Sequence, residues 1–378
     1  MGIWLSFVYI AIMLIYYTFG YFLSFKANRL GTFLALFLYA IAFGVVAYHV
    51  DPPEGWDLYR HFEMVDRIRI GGTNYLFSDQ SLYGKQIGSA LLYYLVSLQP
   101  NDHILPLVTV VIEYTIIAYI ITDYITTNEL TSRTVFVCIA VSLALGDLTW
   151  TISMIRYPLA CSFCALGMYL EAVKNKKRGF IFYLVGISIH PGVLGIIIVR
   201  LVYFIKRARR VLPVILLVWG VFVTLIGRLL QSSTNYWLKY FGSMLMVYTT
   251  DMSEIADIRF LTLKIIFIVF IVICLLFRKK QGNDNLISKN QKRTITGHYK
   301  VLYIYISLFA IGAIVASPQI FMRYAMMISL LFIPVANDVL PEKGKMKITI
   351  KDIPIMLMFV ASIAYQYVAL TSHGVSLG

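Results

Sequence analysis

Apolar residues run through this chain in stretches of membrane-crossing length, separated by polar segments whose charge differs from one to the next. A helical span needs ~20 mostly apolar residues. Stretches of that kind cover residues 3–25, 30–48, 103–124, 134–148, 151–173, 211–230, 260–277, 301–317, 321–339 and 353–370. The pattern predicts an all-α polytopic integral membrane protein with about ten transmembrane helices. Two more apolar stretches do not read as simple crossings. Residues 86–98 are too short, and residues 180–205 have basic flanks on both sides with His190-Pro191 in the middle. Proline removes a backbone donor and disfavours helix at the residue before it. Residues 180–205 are therefore expected to form two half-helices that break at His190, and residues 86–98 a re-entrant or interfacial piece.

Charge orients these spans. Lys and Arg crowd residues 174–179, 206–210, 278–300 and 341–352, whereas residues 49–85 and 231–260 carry acids, Trp, Tyr and His. Under the positive-inside rule the first set is cytoplasmic and the second set outside. Lys26 and Arg29 place the first turn inside, so both chain ends are expected outside. An odd number of crossings must then separate residues 85 and 174, which is why 86–98 is not counted as a span. On this reading residues 1–378 form a single polytopic membrane domain.

Composition agrees. Hydrophobic residues make up 59% and charged residues 14%, with a mean hydropathy of +0.76. A soluble domain is nearer ~45–50% apolar and ~25% charged, so a large soluble enzyme is excluded. The net charge of +14 sits mostly in short segments beside apolar spans. Topology and anionic lipid explain it better than nucleic acid, which is not expected as a partner. Cys138, Cys161, Cys164 and Cys274 all lie in apolar stretches. The Cys161/Cys164 spacing reads as two small residues on one helix face, and no metal site is expected. The first apolar run lacks a basic leader and a small-residue cleavage site, so it reads as a span.

Some polar residues fall where a membrane should exclude them. A charge near the bilayer centre costs ~2.5–3.5 kcal/mol on insertion scales, so such residues are functional candidates. Arg156 and Arg323 lie near outer helix ends and could grip a pyrophosphate in bidentate fashion. Glu113 and His190 sit deeper; Glu113 also suits a structural partner for a buried Arg. Arg228, Arg259 and Lys264 read as side chains that snorkel to the headgroups. The early outer segment reads His49-Val-Asp51-Pro-Pro-Glu54-Gly-Trp56-Asp57-Leu-Tyr59-Arg60-His61. Aromatic faces stack on sugars, and carboxylates accept hydroxyl hydrogen bonds or a proton. Asp57 and His61 share helical i,i+4 spacing, but two ligands are too few for a metal.

The order of these motifs resembles the EpsG family of Wzy-type bacterial polysaccharide polymerases. The residues that carry the likeness are Trp56-Asp57-Leu-Tyr59, Ile155-Arg156-Tyr157-Pro-Leu-Ala160, the basic segment after it, Ile189-His190-Pro191-Gly192, and Phe321-Met-Arg323-Tyr324. They span roughly residues 30–335. Two departures stand out. Tyr157 replaces a frequent Gln, and Pro191-Gly192 replaces a small residue followed by Ser.

The resemblance implies a GT-C-like glycosyltransferase in the bacterial cytoplasmic membrane with its active site facing outside. Both substrates would be oligosaccharide repeat units on undecaprenyl pyrophosphate, the growing chain passing from one carrier to a unit on another. Arg156 and Arg323, with Arg60 as a third candidate, would stabilise the leaving pyrophosphate. Asp57 is the first choice of general base and His190 the second. Trp56, Tyr59, Arg60, His61, Tyr157 and Glu113 are candidate substrate-binding residues. Membrane lipids and a chain-length regulator protein are further partners on this reading; no cofactor and no metal are expected. Three rivals remain: a flippase or exporter of the same lipid-linked sugars, a membrane acyltransferase using His190, and an envelope scaffold.

Overall fold

The computed structural model describes residues 8, 11, 15, 29–78, 81, 84–128, 148–205, 207–250, 258–277, 289–339 and 352–372. Most of the expected first span, most of the span at 134–148, Lys26, Lys206, Cys138, residues 278–288 and 341–351, and the C-terminal six residues lie outside that set. Among the described residues the fold is all-helical, with no strand. Two helices are long and apolar enough to cross a membrane, or up to four if each of two bent pairs counts as one span. The chain divides into two compact units, residues 1–194 with 329–378, and residues 195–328.

In the first unit, α1 (Arg29–Tyr48) packs along α4 (Ile104–Asn128), and these are the two long apolar helices. Their adjoining ends are tied by the buried Asp123, which accepts hydrogen bonds from the exposed Arg29 (2.9 Å) and from the Tyr169 hydroxyl (2.6 Å) and pairs with Lys174 (2.6 Å). A buried carboxylate persists only when paired in this way.

The segment 49–85, expected as an outer loop, is largely helical rather than open. α2 (Asp57–Leu76) buries Leu58, His61, Met64, Val65 and Ile68, a three-and-four spacing that gives one inward face, while Arg60, Glu63, Asp66 and Arg67 point out. It bends at Gly72, whose φ of 60° suits glycine. Arg69 pins α2 by pairing with Asp66 and Asp102 and by donating to the Gln99 carbonyl at 2.9 Å. The short apolar stretch forms α3 (Ile87–Ser97), which packs against α2 and α7 (Gly179–Ile189).

The expected single helix over 151–173 is instead two. α5 (Leu148–Met154) and α6 (Arg156–Met168, continued by a π turn over Tyr169–Val173) meet at 110°. The break falls at Ile155, with φ 14° and ψ −57°. Pro158 supplies the reason: in a continuous helix its ring would meet the Met154 carbonyl, so proline is tolerated only in the first turn of a helix that starts at Arg156. α6 and α7 cross closely, because Gly167 and Gly179 face each other and Gly186 faces Ala160 and Cys164. Cys161 and Cys164 are buried thiols on the same helix. A short α14 (Ala336–Val339), preceded by a 3-10 turn at Ile333–Val335, and α15 (Asp352–Ser372) complete this unit, with the Pro334 carbonyl accepting from Tyr124 at 2.9 Å.

The second unit holds α8 (Leu194–Phe204) from its second residue, a 3-10 turn at Ala208–Arg210, α9 (Leu212–Gln231), α10 (Tyr236–Thr250), α11 (Ile258–Leu276), α12 (Lys289–Ala313) and α13 (Pro318–Leu331) up to Ile328. Residues 236–250, expected as outer loop, are helical and pack on α9. α9 itself bends by 60°. Arg228 is exposed, whereas Lys264, expected to snorkel to the headgroups, is completely buried and cannot do so; the Arg259 side chain lies outside the described set.

Candidate functional site

Three polar side chains on one face of α3 organise the site. Gln86, at the N-cap, accepts a hydrogen bond from Arg156 Nη1 through Oε1 at 2.8 Å. Ser89 donates to the Ile189 carbonyl at 2.6 Å, and the Tyr93 hydroxyl is 2.9 Å from His61 Nδ1. Spacings of three and four place these residues on one helical stripe. Ser89 and Tyr93 are fully buried, so the apolar stretch that looked merely short carries the parts that hold Arg156, the His190 break and His61 in one place. Sequence reasoning missed all three; the signal was the polar stripe at 86, 89 and 93 within an otherwise apolar run.

The break at His190-Pro191 occurs as the sequence predicts: α7 ends at Ile189 and a 3-10 turn starts at Pro191. A chain break inside a protein exposes backbone groups that need partners. Ser89 satisfies the Ile189 carbonyl, and His190 Nδ1 accepts from the Gly192 amide at 2.9 Å. A backbone N–H always donates, so Nδ1 must carry a lone pair and Nε2 the proton in the neutral ring. The ring packs edge-on against Tyr157 with centroids 5.2 Å apart. His190 thus presents a donor nitrogen beside Tyr157.

Arg156 is the first residue of α6, at the corner produced by Pro158. Its charge adds to the positive end of that helix, a combination suited to an anion. His61 is buried, and its basicity is held well below the ordinary value of 6.5 by burial first, then by Arg156 and Arg60. An imidazole there stays neutral near pH 7.

At the open end of α2, Asp57 is the first helical residue and pairs with Arg60 at 3.6 Å. Arg60 also donates to the Gly55 carbonyl at 3.3 Å. Trp56 and Tyr59 flank them, each half-buried. Glu113 on α4 is buried beside Thr151 of α5. The first unit therefore gathers His61, Arg156, Tyr157 and His190, with Asp57 and Arg60 on the helix that carries His61. Arg323 belongs to the second unit, on α13, next to an aromatic stack in which Tyr324 meets Phe309 (4.8 Å) and Phe309 lies flat on Trp219 (4.3 Å). Among the described residues no cluster of His, Cys, Asp and Glu could hold a metal ion.

No curated protein and no solved structure matches the chain. A family model does, over residues 57–376, a range that begins at Asp57 and takes in every site residue named above except Trp56. The chain belongs to the EpsG family, a family of Wzy-type polysaccharide polymerase-like proteins.

Proposed function

We propose that this protein is a polysaccharide polymerase that transfers a growing glycan from undecaprenyl pyrophosphate to a second lipid-linked repeat unit at the outer face of the bacterial cytoplasmic membrane. The observation that carries this reading is Arg156 at the α6 corner, held by Gln86, beside neutral His61 and the His190–Tyr157 pair. A guanidinium at a helix N-terminus suits the leaving pyrophosphate.

The acceptor hydroxyl attacks the anomeric carbon of the sugar attached to pyrophosphate. A new glycosidic C–O bond forms, the bond from that carbon to the pyrophosphate oxygen breaks, and the proton passes to a base. Stabilising the departing oxygens is an electrostatic task, given to Arg156 with Arg60 as a further cation. Asp57 is the base, since its carboxylate is partly open to solvent. His190 is then a hydrogen-bond donor rather than a base, because Nδ1 is engaged by Gly192. Trp56 and Tyr59 offer faces for the sugar. About ten spans with a cytoplasmic 174–179 segment complete the proposed GT-C-like architecture.

Analysis of lipid-linked glycans, by gel and mass spectrometry, from cells with and without the protein tests this. Loss of the protein is expected to leave single repeat units on the carrier and to remove the polymer ladder, and Asp57→Asn should do the same at normal protein level. Repeat units trapped on the cytoplasmic face would make it a flippase instead. A ladder that persists but lacks an acyl group would make it an acyltransferase.

A further inference from the structure

The second unit carries a basic corner that glycosyl transfer does not use. α8 ends at Phe204, the chain turns through Ala208–Arg210, and α9 begins at Leu212. Arg209 is built into this corner. Its Nε donates to the Tyr203 carbonyl at 2.6 Å, and its guanidinium lies 4.4 Å from the centre of the Tyr203 ring. Its own carbonyl accepts from the Tyr305 hydroxyl at 3.2 Å. Tyr203 is fixed in turn by its hydroxyl, 2.7 Å from His298 Nδ1, and by the Tyr305 ring, 5.8 Å away. Arg207 and Arg210 flank it and are exposed. Among the described residues no carboxylate pairs with Arg207, Arg209 or Arg210.

Two features identify what such a corner would bind. The helices on either side show apolar side chains outward: Leu201 and Phe204 on α8, and Val214 and Ile215 on α9, are each at least half exposed. Surfaces of that kind face acyl chains, so the corner sits where apolar cover gives way to charge, at headgroup depth. The guanidinium fork matches phosphate oxygens, and Arg209 is already immobilised, so little side-chain freedom remains to be lost on binding.

We infer that Arg207, Arg209 and Arg210, backed by Tyr203, His298 and Tyr305, form a binding site for the phosphate headgroup of an anionic phospholipid. The site needs no glycan, and its function is separate from the polymerase reading. Its selectivity comes from the fixed Arg209, with Arg207 and Arg210 adding charge.

The test is lipid retention by the full chain, purified in detergent with phosphatidylglycerol or phosphatidylcholine and read by native mass spectrometry. The wild-type protein should retain phosphatidylglycerol preferentially. Arg209→Gln should weaken that retention about five- to tenfold. The double change Arg207→Gln/Arg210→Gln touches only exposed side chains, leaves the Tyr203 contacts intact, and should also lower retention without moving the melting temperature. Lys176→Gln/Lys177→Gln, which removes two exposed charges from a different turn, should leave it unchanged. Equal losses in the lysine and arginine variants would reduce the effect to bulk charge and overturn the site, as would undiminished retention in Arg209→Gln. Displacement of the lipid by millimolar inorganic phosphate would reassign the corner to a soluble phosphate and overturn the lipid reading.

Discussion

At the scale of single residues, the site depends on how Arg156 is held. Lysine keeps the charge but not the planar fork. Arg156→Lys is therefore expected to lower polymer formation by ~10²–10³-fold, the cost of losing one well-placed donor to developing negative charge. Gln86→Leu removes the 2.8 Å acceptor that positions the guanidinium, and a misplaced group costs up to ~10²-fold. Gln86→Glu retains an acceptor oxygen and should recover part of that loss; full activity in Gln86→Leu, measured with lipid-linked substrates, would show that Arg156 needs no support. His61 gives a stability signature. Its folded-state pKa is lowered from 6.5, chiefly by burial and then by Arg156 and Arg60. Above that value His61 is neutral in both folded and unfolded chains. As pH falls through it, the unfolded chain takes a proton that the folded chain refuses, so stability is lost towards acid. Melting in detergent should show this acid-side loss, and His61→Gln should reduce it. Arg156, His190 and Asp57 were legible in the sequence because charge or imidazole in an apolar or aromatic setting is costly enough to stand out. Gln86, Ser89 and Tyr93 were not, since uncharged polar residues in a helix are ordinary until their partners are known.

At the scale of elements, two helix breaks make the site, and both are proline effects. The break at His190 was legible because Pro191 sits between two basic flanks. The corner at Ile155 was not anticipated: the hydrophobic run over 151–173 outweighed Pro158, although proline four residues past Met154 forbids a continuous helix there. Length and hydropathy describe how much of a segment is apolar; they do not say whether its backbone continues. The close crossing of α6 and α7 holds both breaks in register. A Cβ on Gly179 would lie 2.6 Å from the Gly167 carbonyl oxygen and 3.0 Å from the Glu171 amide nitrogen. Backbone atoms cannot swing aside, so Gly179→Leu should cost at least about 1–3 kcal/mol and lower the melting temperature in detergent. Gly31→Leu on α1, where no atom lies within 4 Å of the added carbon, should be close to neutral.

At the scale of the whole molecule, charge asymmetry predicts orientation. Residues 174–179 should face the cytoplasm, so a cysteine at Lys176 should react with a membrane-impermeant reagent only after the cells are opened; labelling from outside would invert the topology and overturn the proposed outward-facing site. The sequence by itself determined the class, all-helical and apolar, because composition and the length of apolar runs act residue by residue and survive any arrangement. The order of its short motifs likewise sufficed for the family. The two compact units, the helix over residues 57–76, the burial of Lys264, and the joining of residues 61, 86, 93, 156 and 190 were decided only by tertiary structure. The physical reason is that these contacts join side chains from separate helices. Sequence periodicity reports which face of a helix is buried, and carries no information on which other helix buries it.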